Sequence, residues 1–166
     1  MTDDSRMNQP VPIGPASPTW RWCRFEELSV FELDAIYRAR QQVFAIEQQC
    51  AYLDADGFDA ESLHLAAWSP THEIPLAYAR VVRPGVKYAE PSIGRVLTTA
   101  AARGTGLGRE LVRRAIQLAQ LAFPGHGIRI SAQTRLEAFY VDAGFVAIGA
   151  PYLEDAILHT EMLRAG

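Results

Sequence analysis

An α/β architecture, a mixed β-sheet with helices packed on it, is what the sequence predicts, and three observations predict it. Apolar residues recur at helical spacing in two long segments, 30–47 and 107–122. Short runs rich in β-branched and aromatic residues lie around them, bounded by glycine, proline and polar clusters. Their order is strand, helix, three strands, helix, strand, helix, two strands, which calls for a sheet of about seven strands with helices on it.

The 166 residues, 49% of them apolar, suit one domain with one core. Residues 1–18 carry Pro10, Pro12, Pro15 and Pro18 among small and polar residues, a composition that builds no core and reads as a flexible extension before a domain at 19–166. A net charge of −3 without a basic stripe argues against a nucleic-acid partner. No apolar run reaches bilayer length and no signal-like start is present, so a cytoplasmic protein without a membrane partner is expected. Cys23 and Cys50 stand far apart and read as buried free thiols, with one disulfide between them as the alternative, and His64, His72, His126 and His159 are too scattered for metal ligation, so no metal is predicted.

The elements follow in order. Residues 19–25 alternate as an edge strand of ambiguous facing. Ser29 with Glu32 three residues on forms a capping box, which opens the first helix. The Asp-rich stretch 48–61 lacks periodicity and reads as a long functional loop or a short irregular helix. Segments 63–68 and 76–82 are strands of a hairpin joined through the polar residues Ser69 to Glu73. A strand over 92–98 precedes the helix 107–122, which Pro124 and Gly125 stop. A strand at 127–132, a short helix at 134–143 closed by Gly144, and strands at 145–148 and 157–163 complete the chain.

The chemistry starts at Arg103-Gly104-Thr105-Gly106-Leu107-Gly108-Arg109, between a strand and a helix. Glycines clear the approach to backbone amides, and the unpaired amides of a first helical turn form an anion site to which Arg103 and Arg109 add positive charge. The turn lacks the Gly-Lys-Ser/Thr ending of a nucleotide-triphosphate loop, and Arg109 stands where a dinucleotide fingerprint needs its third glycine.

Arg103-x-x-Gly106-x-Gly108 after a strand resembles the coenzyme A-binding motif of GNAT N-acetyltransferases. Leu136-Glu-Ala-Phe-Tyr140-x-x-x-Gly144-Phe145 resembles the second motif of that superfamily. Val43-Phe44-x-x-Glu47-Gln48-x-Cys50-x-Tyr52-x-Asp54-x-Asp56-Gly57, His64, Ala77-Tyr78-Ala79-Arg80 and Ile93-Gly94-Arg95-Val96 resemble its ElaA-like branch, so that the likeness covers nearly all of the chain beyond residue 19.

That resemblance implies a GNAT-like fold with a mostly antiparallel sheet, acetyl-CoA as cosubstrate and an amine as acceptor; dimers are common among such relatives. It implies that backbone groups of Val96, Leu97 and Thr98 hold the pantetheine arm, with the Leu97 amide at the thioester oxygen. It also implies that Arg103 to Arg109 hold the diphosphate, that Phe139 packs near the cofactor, and that Tyr140 is the general acid. An ordinary phenol, with a pKa of about 10, is protonated at neutral pH and suits that role.

Glu47 is the leading candidate for the base. The acidic loop, through Asp54 and Asp56, is a candidate attractor for a cationic amine, and His64, Arg80 and Arg95 are further substrate-contact candidates. Structural pairing is the favoured reading for the two arginines and a hydrogen-bonded core role for His64. The function so implied is direct acetyl transfer to a primary amine; a silent acyl-CoA-binding sensor or partner subunit is the competing reading.

Overall fold

The computed structural model describes residues 17–166, so all but the last two residues of the expected extension lie outside the described residues. Eight strands form one sheet: β1 (Thr19–Arg24), β2 (Ser62–Trp68), β3 (Ala77–Val82), β4 (Ser92–Thr98), β5 (Ile128–Gln133), β6 (Val146–Ala147), β7 (Tyr152–Glu154) and β8 (Ile157–Arg164). The sheet order is β1-β2-β3-β4-β5-β8-β6, with β7 pairing beside β8, and all neighbours are antiparallel except β4 and β5.

Alternation along the strands sends alternate residues to opposite faces, and both faces are covered. Leu65, Ala79, Val81, Ile93, Ile128 and Ile130 meet Leu111, Val112, Ala115 and Ile116 of helix α2 (Leu107–Ala122). Ala66, Tyr78 and Leu97 meet Ile36, Ala39, Val43 and Phe44 on the other side, from helix α1 (Val30–Arg40) and its continuation. Burial of β3 from both sides explains its unbroken run of buried residues, Arg80 included.

Helix α1 starts as its capping box dictates, with the Glu32 amide donating to Ser29 Oγ and Glu32 reaching back to the Ser29 amide. It does not run on as one regular face to Glu47. From Gln41 to Glu47 the turns widen to π spacing, with the Gln48 amide donating to Val43 O at 3.0 Å, and Val30 and Ile46 are left exposed.

Other differences are local. The β2–β3 connection spans residues 69–76, longer than the polar cluster read from sequence. The segment expected as one short helix divides into a 3₁₀ turn, Thr134–Leu136, and helix α3 (Glu137–Asp142), followed by Gly144 at φ 89°. Strand β7 has three residues and lacks a periodic signal. It is joined to β8 by the two-residue turn Asp155-Ala156, both at positive φ, a hairpin geometry that normally calls for glycine or asparagine.

Candidate active site

Strands β4 and β5 share a single paired position, Ser92 with Arg129, and part beyond it. The wedge between them is a cavity of about 120 Å³ lined by Gly94, Arg95 and Val96 on one side and Ile130 to Gln133 on the other. The pairing of β3 with β4 shifts at the same level. Arg80 faces Gly94 and Tyr78 faces Leu97, so Ala79 lies opposite both Arg95 and Val96. This bulge places Arg95 at φ 51°, a left-handed conformation that costs an arginine about 1 kcal/mol or more and needs support from its surroundings.

The support is on the loop before β2. Arg95 Nε lies 2.8 Å from Asp54 Oδ1, its Nη2 donates to Asp56 Oδ2 at 3.1 Å, and the guanidinium stacks 4.9 Å above the Tyr52 ring. Sequence patterning flagged Arg95 as a charge in an apolar strand, but the bulge that it occupies leaves no sequence signal.

One mouth of the wedge opens into a cavity of about 790 Å³ lined by Val96, Leu97, Thr98, Arg103, Gly108, Phe139 and Tyr140, with Glu47 and Gln48 opposite. Here the glycine turn enters helix α2. Gly104 and Gly106 adopt φ 76° and 84°, and the amides from Gly104 to Gly108 find no acceptor among the described residues. The first α2 amides that bond, those of Arg109 and Glu110, both donate to Gly106 O. A Cβ on Gly108 would stand 3.6 Å from the Thr98 methyl, against the wall of the cavity. The Thr105 hydroxyl donates to Ala102 O at 2.6 Å, which pins the loop, and Leu107 packs on the core.

The flanking arginines are less free than their sequence position suggests. Arg103 pairs with Glu47 and donates to Thr98 O at 3.1 Å. Arg109 reaches Asp142 at 3.2 Å and lies over the Phe139 ring at 5.7 Å. Tyr140 is buried, edge-on to Phe139 and Phe145, and its hydroxyl makes no hydrogen bond among the described residues while its ring lines both the wedge and the large cavity. Burial pushes its phenol up to about 12, so it stays protonated at neutral pH.

The acidic loop has a different place from the one its composition suggests. Asp54 and Asp59 bind Arg40, at 2.8 and 2.9 Å, and Asp56 and Asp59 bind Arg80, at 2.5 and 2.8 Å. Together with Arg95, three carboxylates meet three guanidiniums, so Asp54 and Asp56 serve as internal counter-ions and not as unpaired attractors for a cation. Burial pushes the Asp56 carboxyl up, and the Arg80 guanidinium overcomes that and holds it down to about 2. Arg40, fully buried, was legible only as a helix-face residue.

His64 is also internal: one ring nitrogen meets the Tyr78 hydroxyl at 2.8 Å and the other Asp59 O at 2.9 Å. Its burial holds the imidazole below its ordinary value. Arg80 is likewise buried and paired, as the structural reading of both residues expected.

A parted parallel strand pair, a strand bulge beside it and a helix start with free amides define an acyl-CoA N-acyltransferase architecture. The comparisons agree with that class. The family model described as "Acetyltransferase (GNAT) domain" matches residues 43–164, and the chain belongs to this family of acyltransferases. A UPF0039 protein of Synechocystis is 42% identical over 87% of this chain and 93% of its own length. Protein ElaA of Escherichia coli is 33% identical over 87% of this chain and 95% of its own length. Among solved structures, an acyl-CoA N-acyltransferase from Pseudomonas aeruginosa superposes with a TM-score of 0.85 at 40% identity, covering 90% of this chain and all of that one.

Proposed function

We propose that the protein transfers an acetyl group from acetyl-CoA to a primary amine by direct attack, in the cytoplasm and without a metal. The observation that carries this reading is the row of unbonded amides, Gly104 to Gly108, at the start of α2 and beside the mouth of the β4–β5 wedge. A diphosphate there would meet several donors and the positive end of a 16-residue helix. The acyl arm would then lie along Val96, Leu97 and Thr98, with its thioester toward the bulge.

In the reaction the Leu97 amide would stabilise the oxygen of the tetrahedral intermediate, and Tyr140 would give a proton to the departing thiolate. Arg103, braced by Glu47 and Thr98 O, and Arg109 would hold the cofactor's anionic end, with Phe139 packing beside it. Acetyl-CoA with a panel of primary amines should release free thiol, and calorimetry should show coenzyme A binding more tightly than pantetheine. Firm coenzyme A binding with no turnover on any amine would favour an acyl-CoA-binding sensor. No preference for the diphosphate would remove the reading altogether.

A further inference from the structure

The opposite mouth of the wedge opens into a second cavity, of about 300 Å³, between the acidic loop and the β7–β8 hairpin. Its size lies at the lower end of pockets that enclose small ligands. Eight of its residues, Gln133, Ile157 and His159 among them, also line the wedge or the coenzyme-side cavity, so the two mouths meet at the same volume.

His159 is the imidazole at that junction. Its Nδ1 lies 2.9 Å from Ile157 O, and a carbonyl only accepts, so Nδ1 carries the hydrogen and in the neutral ring the lone pair is on Nε2. Nε2 has no hydrogen-bond partner among the described residues, whereas both nitrogens of His64 are taken. The ring is held by Tyr152, 6.1 Å away between centroids, and Tyr152 is fixed in turn by Ser131 at 2.5 Å. Glu47, in contrast, faces the coenzyme side with its carboxylate on Arg103.

The charges on the wall indicate what enters. Asp56, Arg80 and Arg95 are ion-paired with one another within the buried cluster. What remains is one cation, Lys87, against two carboxylates, Glu154 and Asp155, neither of which has an arginine or lysine partner among the described residues.

Resting on the acetyltransferase reading, we propose that this second cavity is the acceptor site, that it takes a small cationic amine, and that His159 Nε2 is the general base. The amine enters as R–NH₃⁺ and gives one proton to Nε2. Its nitrogen then attacks the thioester carbonyl; the C–N bond forms and the C–S bond breaks as the tetrahedral intermediate collapses. Tyr140 protonates the thiolate and is reprotonated by the second proton leaving the nitrogen. The products are the amide and free coenzyme A, and His159 releases one proton to solvent.

The test uses the full chain with acetyl-CoA, offering 1,4-diaminobutane, spermidine and, as an anionic contrast, 4-aminobutanoate. The diamine and spermidine should be acetylated with kcat/KM at least tenfold above the amino acid. His159→Ala should lower kcat by about 100-fold or more, within the usual contribution of a general base. Coenzyme A affinity should stay within twofold, which shows that the variant is folded, and added imidazole should restore part of the lost rate. Wild-type turnover that survives His159→Ala, a loss that imidazole does not restore, or a preference for 4-aminobutanoate would overturn the inference while leaving the acetyltransferase reading intact. Loss of turnover in Glu47→Gln, with His159→Ala fully active, would move the base to Glu47 and also overturn it. Absence of wild-type turnover with every amine would remove both.

Discussion

Asp59→Ala tests whether the three-arginine, three-aspartate cluster holds the fold. Asp59 is buried and accepts from Arg40 at 2.9 Å, from Arg80 at 2.8 Å and from the Tyr37 hydroxyl at 3.2 Å. Breaking a buried pair by removing one partner costs about 3–5 kcal/mol, because the charge left behind stays desolvated. Arg40 keeps Asp54 and Arg80 keeps Asp56, so the lower end, about 3 kcal/mol, is expected. For a chain of this size that is a fall in Tm of about 6–12 °C, read by calorimetry or by urea unfolding at pH 7.

The cluster also fixes the sign of the pH dependence. The carboxyls of Asp56 and Asp59 are both held below their ordinary value, so their stabilisation is complete above the unfolded-state pKa and is lost as pH falls through the folded one. For Asp56 the drop from 3.8 to about 2 corresponds to about 2 kcal/mol, lost between roughly pH 4 and pH 2. Asp59→Ala should therefore show a shallower acid loss than the wild type. A loss at pH 7 below about 1 kcal/mol, the scale of an exposed ion pair, would refute the argument.

Gly106→Val, at φ 84° with open space around its Cβ direction, puts a branched side chain into a left-handed turn. It should weaken coenzyme A binding at least tenfold by calorimetry, and unaltered binding would dissociate the turn from the diphosphate. Tyr140→Phe removes a hydroxyl with no hydrogen bond among the described residues, so urea unfolding should change by less than about 1 kcal/mol, while kcat falls by about 100-fold or more. A large stability loss with little change in kcat would assign Tyr140 to packing. Ser29→Ala removes the capping oxygen of α1 and should cost about 1 kcal/mol in thermal unfolding.

Much of the fold was legible because its signals are local. The Ser29–Glu32 box, the periodicity from Leu107 to Ala122 and the stop at Pro124-Gly125 each encode an element with no tertiary help. Strand β7 was not legible: it is short, and its pairing beside β8 depends on a tight turn at Asp155-Ala156 whose residues are not the ones that usually adopt positive φ. The widening of α1 after Arg40 was hidden for a related reason, since the apolar spacing continues while the backbone changes pitch. At the candidate site, the glycine turn announced itself by chemistry, but the β4 bulge is a matter of register between two strands, which neither strand records alone.

The acidic loop shows where composition stops being informative. A run of aspartates can attract a ligand or balance charges elsewhere, and the choice depends on how many guanidiniums the fold brings near it. Here β3 contributes Arg80, β4 contributes Arg95 and α1 contributes Arg40, from three elements separated by many residues. The same pairing that uses up the loop's charge also holds Arg95 in its left-handed conformation, and so maintains the bulge at Arg95 and Val96. The loop thus acts on the wall of the β4–β5 wedge through backbone geometry. The carboxylates on the second cavity's wall without an arginine or lysine partner among the described residues, Glu154 and Asp155, lie at the β7–β8 turn, beside the short strand that the sequence pattern did not reveal.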